Sequence, residues 1–335
     1  MLLYVKSQQN LSQAKEALIN LGIDHVLHGA SEGNAETILE IPVEKSILSP
    51  QKIAEELSVF GRVQLTTSKT PLLDQLSQKY QVCVKVPGSK NEIIFEAFSE
   101  KPVWIAGPCA IDSIEHLRTM AKSLSSIGVQ VLRGGAVKPR TSPHDFQGVG
   151  RQGFKWLADI AHEFGLAAIS ETLSEEDVPE ALEYLDIIQI GARNMQNFSL
   201  LRKLGQGAKP VLLKRAPGST LKEWAMAAEY ILAGGNKNVI LCERGVRGME
   251  RELRYTLDFA GAAWMQQRYR LPVVIDPSHA TGVKQLIGAC TAAAFAMNMS
   301  GVMIEVHPKP SEARSDALQA LGLEEFSLLK NKYNN

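Results

Sequence analysis

Residues 103–109 read Val-Trp-Ile-Ala-Gly-Pro-Cys, and residues 129–140 read Val-Gln-Val-Leu-Arg-Gly-Gly-Ala-Val-Lys-Pro-Arg. The first stretch is an apolar run that ends at a cysteine. The second is another short apolar run, followed by a loop with three cations. Runs of this kind are typical of parallel strands that are buried on both faces. The two stretches therefore predict strands whose ends carry a thiol in one case and cations in the other.

The same pattern recurs along the chain from Lys101 onward. Eight apolar runs predict strands, and the amphipathic segments between them predict helices. The runs are Val103–Ala106, Gln130–Leu132, Ala167–Ser170, Ile187–Ile190, Val211–Lys214, Val239–Cys242, Val273–Ile275 and Val302–Val306. Asp112, with Glu115 three residues later, predicts the capped start of the first helix.

Eight strand–helix units over residues 101–335 predict an α/β fold of the (β/α)8 TIM barrel type. A doubly wound sheet is the alternative. Such a sheet more often carries a G-x-G-x-x-G loop after its first strand, and no such loop follows the first predicted strand here.

Residues 1–68 show a different order of elements. Strand, helix, strand, strand, helix and strand follow one another, which predicts a small α+β domain of the ferredoxin-like type. Ser49-Pro50 marks the start of its second helix. We interpret residues 69–100 as a linker and a cover for the barrel. For the first domain, docking or oligomerisation without a ligand is the alternative role.

The composition is that of an ordinary globular protein. Of 335 residues, 45% are hydrophobic and 21% charged, and Lys+Arg equals Asp+Glu at 36 each. The balanced charge argues against nucleic acid or an anionic membrane as partner, and no apolar stretch reaches the length of about 18 residues that a membrane span needs. Four cysteines without a CxxC pair, and an N-terminus without a signal-peptide pattern, favour the reducing cytoplasm.

Polar or ionisable groups follow every predicted barrel strand. In a (β/α)8 barrel these strand ends meet at one rim, where active sites lie. One set is cationic and consists of Arg133, Lys138, Arg140, Arg193, Lys214 and Arg244. Any one of them could belong to a rim salt bridge. Six cations from successive strands instead predict a polyanionic ligand, because guanidinium groups bind carboxylate and phosphate in a matching geometry.

A second set combines sulfur, nitrogen and oxygen donors. Its members are Cys109, His279, Glu305 and Asp316, from the regions after the first, seventh and eighth strands. Together they suit a divalent transition metal. Considered alone, Cys109 is equally well explained as a buried thiol, and Glu305 as the partner of a rim cation. Only the barrel brings the four together.

Six motifs follow the predicted strands. They are Gly-Pro-Cys109-Ala-Ile-Asp-Ser, Arg133-Gly-Gly-Ala-Val-Lys138-Pro-Arg140-Thr141-Ser-Pro, Ile-Gly-Ala192-Arg193-Asn-Met-Gln-Asn, Cys-Glu-Arg244-Gly, Asp-Pro-Ser-His279 and Glu305-Val-His-Pro. Together they resemble the 3-deoxy-D-arabino-heptulosonate 7-phosphate (DAHP) synthase family, in its type I-beta form with an N-terminal ferredoxin-like regulatory domain. The Lys-Pro-Arg-Thr loop is the most specific part of this likeness.

The resemblance implies an aldol-like condensation of phosphoenolpyruvate (PEP) with erythrose 4-phosphate, which releases phosphate. This is the first step of the shikimate pathway of aromatic amino acid biosynthesis. The resemblance also implies that Cys109, His279, Glu305 and Asp316 hold a divalent metal ion. We expect Mn²⁺ in the first place, with Fe²⁺, Co²⁺ or Zn²⁺ as alternatives, because this ligand set tolerates all four.

The resemblance further assigns substrate contacts. Arg133 and Lys138 would contact PEP, and Arg193, Lys214 and Arg244 would hold its phosphate. Ala192 is a further substrate-binding residue. Arg140 and Thr141 would bind the phosphate of erythrose 4-phosphate. The implied catalytic residues are Lys138, which would protonate or stabilise the aldehyde oxygen, Glu171, which would handle the attacking water, and the metal ligand His279.

The resemblance also implies a homotetramer, with tyrosine or phenylalanine as an effector bound at the N-terminal domain. The alternative function is that of 3-deoxy-D-manno-octulosonate 8-phosphate synthase, which uses arabinose 5-phosphate. That enzyme would lack Pro139-Arg140-Thr141 and the N-terminal domain. A catalytically silent metabolite sensor is a further alternative, against which the intact metal set argues.

Overall fold

A computed structural model describes residues 1–28, 37–43, 46–65, 68–76, 80–89, 92–140, 142–249 and 251–333 of the chain. The chain forms two compact units. The smaller unit contains residues 1–77 together with 267–269, and the larger contains residues 78–266 and 270–335.

The smaller unit is an α+β domain with a four-stranded antiparallel sheet. Its elements are β1 (Leu2–Val5), α1 (Gln8–Asn20), β2 (Val26–His28), β3 (Thr37–Glu40), α2 (Pro50–Leu57), β4 (Arg62–Gln64) and α3 (Pro71–Asp74). The sheet order β2-β3-β1-β4 is the predicted ferredoxin-like arrangement. Leu3, Leu18 and Ile53 are fully buried in its core. Ser49 caps α2, as predicted, by accepting a hydrogen bond from the Lys52 amide.

The larger unit begins with a hairpin of β5 (Gln81–Lys85) and β6 (Glu92–Glu96). Val84 and Phe95 of this hairpin share one hydrophobic cluster with Val103 and Val131, which begin two of the barrel strands. The hydroxyl of Tyr80 donates to the Lys237 carbonyl at 2.5 Å and accepts from the Val239 amide at 2.9 Å. The hairpin therefore packs against the N-terminal end of the barrel.

Eight parallel strands form a closed barrel. They are β7 (Val103–Gly107), β8 (Val131–Arg133), β9 (Ala167–Thr172), β10 (Ile187–Ile190), β11 (Val211–Lys214), β12 (Val239–Glu243), β13 (Val273–Ile275) and β14 (Gly301–Glu305). Strand β14 pairs with β7 and closes the ring. Every residue of these strands is buried, which explains why their sequences are mainly apolar. The predicted barrel is confirmed, with strand ends shifted by at most two residues.

Helices follow the strands around the barrel. They are α4 (Ile114–Ser126), α5 (Gln152–Glu163), α6 (Val178–Tyr184), α7 (Phe198–Gly205), α8 (Leu221–Ala233), α9 (Phe259–Tyr269), α10 (Pro277–Thr281), α11 (Ile287–Ala296) and α12 (Leu323–Asn331). In the described part of the chain, none of the helices has the length and apolar character needed to cross a membrane.

The predicted cap of α4 is wrong by one residue. Ser113, with an extended backbone, accepts the hydrogen bond from the amide of His116 and is the N-cap. The carboxylate of Asp112 is instead engaged by the imidazole rings of His116 and His307.

Candidate active site

The predicted site residues meet at the C-terminal rim of the barrel, around a cavity of about 220 Å³. Its walls include Arg133, Lys138, Arg140, Glu171, Ala192, Arg193, Lys214, Arg244, His279 and Asp316. Cys109 and Glu305 lie buried behind this wall, in contact with Lys138 and Arg133 respectively. The structure thus brings together all the predicted residues that it describes. Thr141 lies outside the described residues.

The four metal-type donors converge as predicted. The ligand atoms of Cys109, His279, Glu305 and Asp316 all lie within 4.8 Å of one another. Cys109 Sγ lies 2.9 Å from Asp316 Oδ2, and His279 Nε2 lies 2.8 Å from Glu305 Oε1. A thiolate, an imidazole and two carboxylates at this spacing fit a divalent transition ion.

The positions of Cys109 and Glu305 follow from the strands that carry them. Cys109 lies two residues beyond β7, and Glu305 is the last residue of β14, directly paired with Gly107. Gly107 has φ +145°, and a Cβ there would lie 2.1 Å from the carbonyl oxygen of Arg133. Only glycine therefore fits where the chain leaves β7 towards Cys109.

His279 is oriented by Asp276, which is not among the predicted site residues. The Asp276 carboxylate lies 2.7 Å from Nδ1 of His279 and 2.5 Å from Nζ of Lys214, and it also accepts the backbone N–H of His279. Burial alone would raise the pKa of this carboxyl, but the charges of His279 and Lys214 hold the pKa well below its usual range. The hydrogen bond at Nδ1 turns Nε2 towards the metal donors. In the sequence, the Asp276-Pro277 pair at the end of the seventh strand, just before His279, was the feature that could have identified Asp276 as a site residue.

Two further residues support the donors and were not predicted. Gln319 donates to Oε2 of Glu305 at 2.5 Å. Ser315 Oγ accepts from Arg140 at 2.7 Å and lies 3.3 Å from Cys109 Sγ. Both belong to the segment after β14, which folds back over the rim.

The six cations differ in their partners. Arg133 forms a buried ion pair with Glu305, and Lys214 forms one with Asp276. Arg193 and Arg244, in contrast, have no carboxylate partner among the described residues. Arg244 is only 7% exposed, and its guanidinium lies 4.6 Å from the centre of the Tyr255 ring. A buried cation without a counter-ion is costly, so Arg244 indicates an anion-binding position. Arg193 is exposed and lines the same cavity, so its guanidinium can contribute to that position.

Lys138 and Glu171 both line the cavity. Nζ of Lys138 lies 3.0 Å from Cys109 Sγ and 2.9 Å from the Cys109 carbonyl oxygen. Burial opposes the charged form, yet the negative charges of Cys109 and Glu171 outweigh it and raise the pKa of Lys138, which therefore carries a proton. Gly191 makes room for Glu171, because a Cβ there would lie 1.8 Å from Oε1 of the carboxylate.

Comparison with known proteins gives a consistent result. The sequence model of the DAHP synthetase I family matches residues 86–335. The phospho-2-dehydro-3-deoxyheptonate aldolase of Thermotoga maritima is 48% identical over 225 residues, covering 67% of this chain and 67% of that protein. A crystal structure of the phospho-2-dehydro-3-deoxyheptonate aldolase (DAHP synthase) of Thermotoga maritima matches with a TM-score of 0.73 at 34% identity, covering 99% of this chain and 95% of that one.

A lower similarity links the chain to a second kind of enzyme. The 2-dehydro-3-deoxyphosphooctonate aldolase of Stenotrophomonas maltophilia is 28% identical over 256 residues, covering 70% of this chain and 91% of that protein. The family match extends over most of the chain and includes the barrel with its complete rim. The chain belongs to the DAHP synthetase I family.

Proposed function

We propose that the protein condenses PEP with erythrose 4-phosphate to give DAHP and phosphate, the first step of the shikimate pathway. Membership of the DAHP synthetase I family supports this function. The observation that carries it is one rim that combines a four-donor metal set with the guanidinium groups of Arg193 and Arg244, for which the described part of the chain offers no carboxylate partner. Such a rim suits phosphorylated substrates beside a divalent metal.

Binding of PEP falls to five of the cations that line the cavity. Arg193, Arg244 and Lys214 hold the phosphate, with Ala192 beside them. Arg133 and Lys138 contact the rest of PEP. Arg140, together with Thr141, binds the phosphate of erythrose 4-phosphate. Two anchored phosphates hold the reacting carbons in register, and this positioning lowers the barrier of the bimolecular step.

A bound divalent ion would polarise the aldehyde oxygen as a Lewis acid. PEP attacks the aldehyde carbon through its C3 atom, and negative charge develops on the aldehyde oxygen. Lys138, which lies beside the metal donors and carries a proton, donates to this oxygen as a general acid. Glu171 takes a proton from the water that adds at C2 of PEP, after which the C2–O bond to phosphate breaks.

We infer Mn²⁺ as the native metal, with Fe²⁺, Co²⁺ and Zn²⁺ as alternatives. One sulfur, one nitrogen and two carboxylate donors form a set of intermediate softness. Phosphate release measured with metal-free protein, to which each ion is returned separately, tests this order.

We also propose that residues 1–68 bind tyrosine or phenylalanine as a feedback effector and that residues 69–100 link and cover the catalytic barrel of residues 101–335. The assembly that we expect is a homotetramer in the cytoplasm. All four cysteines are free thiols, which supports a reducing compartment. Light scattering of the purified protein tests the tetramer.

The second candidate is the condensation of PEP with arabinose 5-phosphate. It is favoured by the similarity to 2-dehydro-3-deoxyphosphooctonate aldolase at 28% identity. Against it stands the higher identity of 48% to the heptonate enzyme. Phosphate release from PEP with each aldose phosphate, with and without chelator, separates the two functions.

A further inference from the structure

A second group of metal-type ligands lies outside the site just described. Asp112 follows Cys109 on the segment after β7, His116 lies in the first turn of α4, and His307 follows Glu305 after β14. One ligand atom from each of Asp112, His116 and His307 lies within 4.8 Å of the other two. None of the three lines the catalytic cavity.

The Asp112 carboxylate is the centre of this group. Its Oδ2 atom lies 3.0 Å from Nδ1 of His116 and 2.8 Å from Nε2 of His307. The side chain is only 8% exposed, and its Oδ1 atom is buried without a hydrogen-bond partner among the described residues. Buried carboxylate oxygens are normally satisfied, so the free Oδ1 atom indicates a missing ligand.

The contacts of His307 also indicate a missing ligand. Its Nδ1 atom lies 2.7 Å from the carbonyl oxygen of Lys309 and 3.1 Å from the Lys309 amide nitrogen. The shorter contact favours a proton on Nδ1, donated to the carbonyl. Nε2 then faces Oδ2 of Asp112 at 2.8 Å, a separation that two ligands of the same metal ion can have.

A metal ion meets these requirements better than protons do. Protons on the two rings would serve Oδ2 alone and would leave Oδ1 of Asp112 unsatisfied. A metal ion can take both carboxylate oxygens as well as both imidazoles. Histidines that bind metals commonly donate their other ring N–H to a backbone carbonyl, as His307 does to Lys309.

We propose that Asp112, His116 and His307 form a second binding site for a divalent transition ion, separate from the catalytic one. Two imidazoles and a carboxylate, without a thiolate, suit Zn²⁺ or Co²⁺. The His116 side chain is 24% exposed, so the ion enters from solvent and keeps a position for water. The bound ion ties the segment after β7, which also carries Cys109, to the segment after β14, which begins directly after Glu305.

Cobalt(II) distinguishes the two sites, because only the catalytic one offers a thiolate. The whole chain is stripped with chelator and dialysed against a low concentration of Co²⁺. Bound cobalt is then counted by elemental analysis, and the thiolate-to-cobalt absorption band is recorded. We expect two ions per chain in the wild type. We expect one ion in His116→Ala with the thiolate band unchanged, and one ion in Cys109→Ser with the band lost.

His162→Ala is the matched control. His162 also pairs with a buried aspartate, Asp186, at 2.8 Å, and its side chain is 23% exposed, but it belongs to no described three-ligand group. This variant should bind two ions. The unchanged thiolate band shows that His116→Ala is folded; if it does not fold, His116→Gln takes its place with the same expected count.

Three outcomes would overturn the second site. They are a wild-type chain that binds a single ion, a His116 variant that keeps both ions, and a His162→Ala chain that loses one. Thermal unfolding gives an independent readout. The melting temperature of the wild type should rise again when Co²⁺ exceeds one equivalent, and His116→Ala should lack this second rise.

Discussion

At the scale of single residues, Asp276 determines how His279 presents its Nε2 atom. Asp276→Asn removes the charge that orients the ring and also pairs with Lys214. We expect the affinity for the catalytic metal to fall by about 10–100-fold, as for other residues that orient metal ligands. Competition with a chelating dye measures this affinity. Asp186→Asn, which alters a buried carboxylate bonded to His162, should leave it unchanged. Equal affinity in wild type and Asp276→Asn would show that Asp276 does not orient the ligand.

Substitution of Lys138 tests whether this residue acts as the general acid. Lys138→Met keeps the length and the burial of the side chain but cannot donate a proton. We expect kcat to fall by about 10²–10⁴-fold, the usual contribution of general acid catalysis, while the metal content stays unchanged. Steady-state phosphate release gives kcat. Lys155→Met, on the exposed face of α5, is the control. If Lys138→Met keeps the kcat of the wild type, Lys138 is not the acid.

The sequence was sufficient for residues whose position follows from a strand end. Cys109, Arg133 and Glu305 were predicted because the strands place them at one rim. Ser315 and Gln319 were not predictable, because their contacts with the site depend on how the segment after β14 folds back.

At the scale of elements, the β5–β6 hairpin stabilises the barrel from its N-terminal end. Phe95 is fully buried in the cluster that joins the hairpin to the barrel strands. Phe95→Ala should lower the free energy of unfolding by about 3–5 kcal/mol, the usual cost of emptying such a position. Denaturant unfolding of the whole chain measures this change.

Ile94, next to Phe95 on strand β6, provides the matched control for Phe95→Ala. Ile94 points to the other face of β6 and is 41% exposed. Ile94→Ala should change the free energy of unfolding by much less, about 0.5 kcal/mol. Similar losses for both variants would mean that the hairpin does not contribute a core face to the barrel.

The elements of the barrel were predictable because their strands are buried on both faces and are therefore mainly apolar, with polar residues such as Glu171, Lys214 and Glu305 near their C-terminal ends. The exact ends were not, because the last paired residue depends on the neighbouring strand. The cap of α4 was assigned to Asp112 for a related reason. Asp112 and Ser113 are both good caps, and only the fold shows that Asp112 is engaged by two histidines.

At the scale of the whole molecule, the ferredoxin-like domain is predicted to regulate an otherwise complete barrel. A chain without residues 1–68 should keep its kcat, because every described site residue lies in the larger unit. It should no longer be inhibited by tyrosine or phenylalanine. Initial rates with and without each amino acid, for both chains, test this role. Inhibition that survives the deletion would place the effector site elsewhere.

The division of labour between the two units was only partly predictable. The order of strands and helices in residues 1–68 predicts a ferredoxin-like sheet, which the structure contains. No catalytic motif falls in that segment, so its role had to come from the resemblance to a family rather than from its own residues.

The central claim is that this rim joins PEP to erythrose 4-phosphate with the help of a divalent metal. Phosphate release from PEP, measured with erythrose 4-phosphate and with arabinose 5-phosphate, tests it most directly. We predict rapid release with erythrose 4-phosphate in the presence of Mn²⁺, loss of activity with chelator, recovery when Mn²⁺ is returned, and much slower release with arabinose 5-phosphate. Faster release with arabinose 5-phosphate, or no release with any divalent ion, would contradict the account.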